Sequence, residues 1–157
     1  MKKISVLIYA VTIAAFVWSC SKDDDKDTTK PVIELEEPAD GDTLFIGYDF
    51  HLEMELSDDV QLKSYKVDIH NNFDGHTHTK STAVAGVWSF TKSWDVSGSK
   101  NAHIHHHEIG VPTTVDGVPI AKGKYHFTVY CTDAAGNESY LVRNIVVWDG
   151  VPHEEEE

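Results

Sequence analysis

Between Tyr48 and Leu56 every second side chain is apolar: Phe50, Leu52, Met54 and Leu56 alternate with His51, Glu53 and Glu55. A period of two belongs to an extended strand with one face buried and the other in solvent. The alternation recurs along the chain and predicts strands at Val32–Glu36, Tyr48–Leu56, Leu62–His70, Val87–Val96, Ala102–Val111, Lys124–Thr132 and Tyr140–Trp148. In the third, Tyr65, Val67 and Ile69 share the apolar face; in the fourth, Trp88, Phe90, Trp94 and Val96 are in phase, with Lys92 as the interruption. Pro38, Asp40-Gly41 and Asp133 to Asn137 supply turns between strands, and Asp116-Gly117 predicts a small hairpin inside the loop 112–123. No stretch after the leader carries sustained helical periodicity. Seven short strands in about 120 residues predict an all-β chain folded as a two-sheet sandwich.

Two corners make the expectation more specific. Gly123-Lys124-Tyr125, the alternating Phe127, Val129 and Cys131, and then Asp133-x-x-Gly136-Asn137 resemble the penultimate strand and turn of bacterial immunoglobulin-like and fibronectin-like domains. Ser57-Asp58-Asp59-Val60-x-Leu62-x-Ser64-Tyr65-x-Val67 is similar to their second-to-third strand corner. The resemblance spans Pro31 to Asp149 and implies an immunoglobulin-like β-sandwich of about seven strands; the glutamates that follow make 150–157 an acidic tail.

The start of the chain adds a location. MKKISVLIYAVTIAAFVWS places Lys2 and Lys3 before an apolar run too short to span a bilayer comfortably, the layout of a secretory leader over 1–19. Val17 and Ser19 before Cys20 resemble the processing site of bacterial lipoproteins, which implies lipidation at Cys20. Ser21-Lys22-Asp23-Asp24-Asp25 resembles the acidic export signal of Bacteroidetes surface lipoproteins, and the whole chain is similar to small members of that group built on this fold. The resemblance implies a domain held to the outer membrane by its lipid anchor, facing the extracellular side on a hydrophilic tether over 20–30; it supplies no established activity.

Charge and motifs narrow the function. Twenty-six acids against thirteen bases give a formal charge of −13, which excludes nucleic acid as a partner because phosphate binding needs a basic footprint. Catalysis has no support: there is no phosphate-cradling glycine loop, no Gly-x-Ser-x-Gly elbow and no His-Glu-x-x-His helix. Binding, not turnover, is the expectation. Cys131 would be the one free thiol left after processing; with no disulfide partner, and in phase with Tyr125, Phe127 and Val129, it reads as a core thiol.

Histidine is the anomaly. Seven of the ten fall between His70 and His107, among them His76-Thr77-His78 and the run His103-Ile104-His105-His106-His107. Residues i and i+2 of a strand project from one face about 6.5–7 Å apart, close enough for two imidazoles to converge on one ion. His76, His78, His103, His105 and His107 are the candidate ligands for Zn²⁺ or Cu²⁺, with Asp74, Glu108 and His70 as candidate supporting groups. The competing reading is a solvated polar strand on a surface module that contacts a protein or glycan. Ile104 and Ile109 have opposite parity although both should be buried, so a bulge is expected near His106. Asp58, Asp59, Asp133 and Asn137 offer hard oxygen donors for Ca²⁺ in two loops at one end of the sandwich, although the stronger reading of these residues is turn formation.

Overall fold

A computed structural model describes residues 26–73 and 86–152. Its strands are β1 (Val32–Glu37), β2 (Thr43–Phe45), β3 (Asp49–Ser57), β4 (Leu62–Asn71), β5 (Phe90–Asp95), β6 (Asn101–Gly110), β7 (Thr114–Val115), β8 (Val118–Pro119), β9 (Gly123–Asp133) and β10 (Glu138–Trp148), and the described residues contain no helix. Two sheets face each other, one ordered β1-β3-β6 and the other β2-β10-β9-β4-β5. With β1, β3 and β6 in one sheet and the β4–β5 and β9–β10 pairs in the other, the chain makes a Greek-key sandwich of the immunoglobulin type. The leader, Cys20, Asp74, His76 and His78 lie outside the described residues.

The alternating side chains meet in the middle. Leu52, Met54 and Leu56 from β3, Ile104 and Ile109 from β6, Tyr65, Val67 and Ile69 from β4, and Phe127, Val129 and Cys131 from β9 are each no more than 9% exposed. Phe50 meets Phe127 edge-on across the two sheets at 5.9 Å between ring centres. Burial pushes the Cys131 thiol up to about 11, with the carboxylates of Asp58 and Asp133 adding to the effect, as expected of a core thiol.

Three local features depart from or complete the pattern. β2 pairs in parallel with the end of β10, Thr43 to Phe45 against Val146 to Trp148; three residues are too short to show a period, so the sequence shows only a turn there. β7 and β8 form the expected small hairpin, with Asp116 at φ 53° and Gly117 at φ 76°, the two left-handed residues that a tight two-residue turn requires. The bulge is also present. Phe50 pairs with Ile109 but Leu52 pairs with His106, so the single residue His51 faces both His107 and Glu108. The inserted residue returns Ile109 to the core and settles the conflict of parity with Ile104.

Candidate metal centre

The outer face of the three-stranded sheet is a grid of imidazoles and carboxylates. On β3, His51, Glu53 and Glu55 point outward because Leu52, Met54 and Leu56 point in; on β6, His103, His105 and His107 do the same around Ile104. Pairing sets Glu55 beside His103 and Glu53 beside His105, and the bulge brings His107 alongside His51. The rings of His51 and His105 lie 4.3 Å apart, and those of His51 and His107 are stacked at 4.8 Å with 11° between planes. One ligand atom from each of His51, His105 and His107 falls within 4.8 Å of the other two, and Glu53, His103 and His105 form a second such group that shares His105.

His51 is built as a ligand. Its Nδ1 lies 3.2 Å from Glu37 Oε2, which favours the proton on that nitrogen and leaves the lone pair on Nε2. Among the described residues Nε2 is buried with no hydrogen-bond partner, and a carboxylate oxygen of Glu53 lies 3.7 Å away. His103 has a similar support, its Nδ1 being 2.7 Å from Glu55 Oε1. Tetrahedral Zn²⁺ with bonds of about 2.0–2.1 Å holds its nitrogens about 3.3 Å apart, so each ring of the first group need swing by less than about 1 Å to share an ion. The carboxylates around the rings offset the charge of a divalent cation. Beside His51 and His107 opens a groove of about 600 Å³ whose apolar wall includes Leu44, Phe45 and Phe50 and whose rim carries Glu37, Asp42 and Asp49.

His106 is separated from its neighbours. The bulge leaves it opposite Leu52, facing inward, where Nε2 lies 3.0 Å from the hydroxyl of the buried Tyr65 and the ring lies 5.3 Å from that of Trp94. Its Nδ1 accepts the Glu108 backbone N–H at 3.3 Å, so Nε2 carries the proton toward Tyr65. Desolvation lowers the His106 pKa, only partly opposed by the nearby Glu108 carboxylate. Lys92, the interruption in the fourth predicted strand, is exposed at the sandwich edge, and its Nζ donates to Glu108 Oε2 at 2.7 Å beside the Trp94 indole N–H at 3.0 Å. These bonds hold Glu108 down to about 2, Lys92 first and Trp94 second. The open side of the sandwich, where edge strands β5 and β6 oppose each other, is thus closed by polar contacts.

Two expected supporting residues are corrected by this arrangement. Glu108 turns away from the histidines toward β5, where its carboxylate accepts from Lys92 and Trp94. His70 sits on the outer face of the other sheet, with Asp68 Oδ1 at 2.7 Å and the His126 ring edge-on at 5.4 Å. Conversely His51 escaped the sequence reading: it is isolated among acids, and only the pairing of the second and fifth predicted strands, which the immunoglobulin-like topology implies, puts it against the histidine run.

The oxygen donors weighed for calcium divide into two groups. Asp133 is fully buried and spent on its own turn, its Oδ1 accepting the Asn137 N–H and its Oδ2 the Asn137 side-chain amide, each at 2.7 Å. Although burial raises its pKa, these bonds outweigh it and hold the carboxylate below its ordinary value. Asp58 instead stands with Asp59 at the β3–β4 corner, where Asp27 joins them from the segment expected to be free tether.

A search of curated proteins found no match. Over residues 18–148 the chain matches the family described as Domain of unknown function (DUF4625), and it belongs to that family.

Proposed function

We propose that this domain is a binding module that captures a divalent transition metal, Zn²⁺ or Cu²⁺, at His51, His105 and His107, with no turnover. The observation that carries the reading is the buried Nε2 of His51, without a hydrogen-bond partner among the described residues, oriented from behind by Glu37 and converging with two further imidazoles. A buried nitrogen acceptor without a donor costs free energy unless something occupies it, and a metal ion does so. The His103–Glu53 side of the grid shares His105 and gives the ion a neighbouring position, so one ion is expected across the patch. With the lipoprotein-like leader, Cys20 and the acidic run after it, the module would stand on the outer surface of the outer membrane and take metal from the medium, its groove leaving a coordination position open to a small ligand.

Calorimetric titration of the purified chain with Zn²⁺ tests the reading. One equivalent should bind to the wild type, His51→Ala should lose it, and His126→Ala on the far sheet should keep it. Equal weak uptake by wild type and His51→Ala would reject the site. The second reading, a surface module that contacts a protein or glycan, draws on Tyr140, which is 69% exposed on the outer face of the five-stranded sheet with its ring 6.0 Å from that of Tyr130. It would be favoured if Tyr140→Ala abolished adhesion of whole cells while His51→Ala left it unchanged.

A further inference from the structure

At the other end of β3 from His51, the carboxylates of Asp27, Asp58 and Asp59 each place an oxygen within 4.8 Å of the other two. Seven residues of strand separate Asp58 from His51, about 23 Å at the usual rise, so the two sites are independent. Asp58 is only 9% exposed; its Oδ1 accepts the backbone N–H groups of Val60 and Gln61 at 2.9 and 2.7 Å, and its Oδ2 is buried with no hydrogen-bond partner among the described residues. Asp27 repeats the pattern, with Oδ1 accepting the Thr29 N–H at 2.9 Å and a buried Oδ2 that has no partner among the described residues. Thr29 Oγ1 donates to Asp59 Oδ2 at 3.3 Å, and the Asn137 amide donates to the Asp27 carbonyl at 3.1 Å. Among the described residues no lysine or arginine forms an ion pair with any of the three carboxylates; Lys100 beside them donates to the Asp59 backbone carbonyl instead.

Three converging carboxylates, two of them with a buried oxygen that has no partner among the described residues, form an all-oxygen donor set suited to a cation. We propose that this cluster binds Ca²⁺ and that the ion fastens the segment before β1 to the β3–β4 corner, fixing the domain on its tether. The donors are all oxygen, which excludes the soft metals suited to the histidine face, and they come from a chain segment and a corner loop, a flexible set of the kind Ca²⁺ accepts and the strictly octahedral Mg²⁺ does not. An affinity of about 0.1–1 mM, typical of extracellular modules, would keep such a site filled outside a cell. The charge matters as much as the geometry. Among the described residues Asp27 meets the fold at this corner and, through its carbonyl, at the Asn137 side chain of the β9–β10 turn.

The test uses the full chain in a nonionic detergent, with CaCl2 as the probe. Saturating Ca²⁺ should raise the Tm, slow tryptic cleavage after Lys26 by at least about tenfold, and be reversed by EGTA. Asp27→Asn should keep the Tm of the calcium-free wild type but weaken the response to Ca²⁺ by at least about tenfold, as affinity follows ligand charge. Asp58→Asn should do likewise, and His51→Ala should respond as wild type does. The proposal is overturned if Ca²⁺ changes neither Tm nor cleavage, if Asp27→Asn responds like wild type, or if Mg²⁺ at the same concentration acts equally, since that would be charge screening of an acidic chain.

Discussion

His106 offers a direct test of how the bulge sorts the histidine run. Its imidazole is the partner of the Tyr65 hydroxyl, and Tyr65 is 2% exposed and stacked on Trp94 at 4.9 Å, so water cannot replace a lost partner. Replacing His106 by alanine orphans that hydroxyl, costing about 2 kcal/mol, and forfeits ring packing worth about 1 kcal/mol more. Tyr65→Phe removes the hydroxyl itself and leaves the half-exposed imidazole able to find water, at a cost of about 1 kcal/mol. The sum is about 4 kcal/mol, but the double variant has no orphan and should lose only about 2 kcal/mol, a coupling of about 2 kcal/mol. Urea unfolding followed by circular dichroism at pH 7.5 measures this: with a slope of about 2 kcal/mol/M, His106→Ala alone moves the midpoint by about 1.5 M. Additivity within about 0.5 kcal/mol would refute the pairing and turn His106 outward with the other three. Zinc uptake by His106→Ala should meanwhile match wild type.

Other consequences follow from the same contacts. Because His106 titrates below its ordinary value of 6.5 in the folded chain, the unfolded chain takes up that proton first, so its contribution is complete above pH 6.5 and is lost as pH falls through the folded value. A second loss should occur between pH 4.5 and about 2 as Glu108 protonates; urea midpoints against pH should show both, with His106→Leu removing the first and Glu108→Gln the second. In a Cys20→Ser chain, Cys131, with its thiol pushed up to about 11, should resist a thiol reagent at pH 8 until denaturant is added, and prompt labelling of the native protein would contradict its burial. Gly86→Ala should lower stability by about 2 kcal/mol, since a new Cβ would lie 2.7 Å from Val115 Cβ and 2.9 Å from its carbonyl oxygen; an unchanged Tm would show that the 86 and 115 backbones do not approach.

Much of this fold is legible because its strands are long and one-sided. The alternation in Tyr48–Leu56 and Lys124–Thr132 fixes both which side chains enter the core and which strands lie at the centre, and the conflict between Ile104 and Ile109 announces the bulge before its position is known. What period alone does not reveal is pairing. His51 enters the histidine group through the register of β3 against β6, Lys92 becomes sensible only when Glu108 is seen across the sandwich, and Asp27 meets Asp58 over a separation in sequence that no local pattern spans. His70 lies apart from the group for the complementary reason: nearness in sequence to other histidines says nothing of which sheet carries it.

The metal reading stands or falls on where an ion sits. Crystals of the domain soaked in Zn²⁺ and measured above and below the zinc absorption edge should give one strong anomalous peak on the outer face of the β1-β3-β6 sheet, about 2.0–2.1 Å from nitrogens of His51, His105 and His107. A zinc peak at other residues, with none at this group, or no peak in a soak that leaves the histidine face free of lattice contacts, would contradict it.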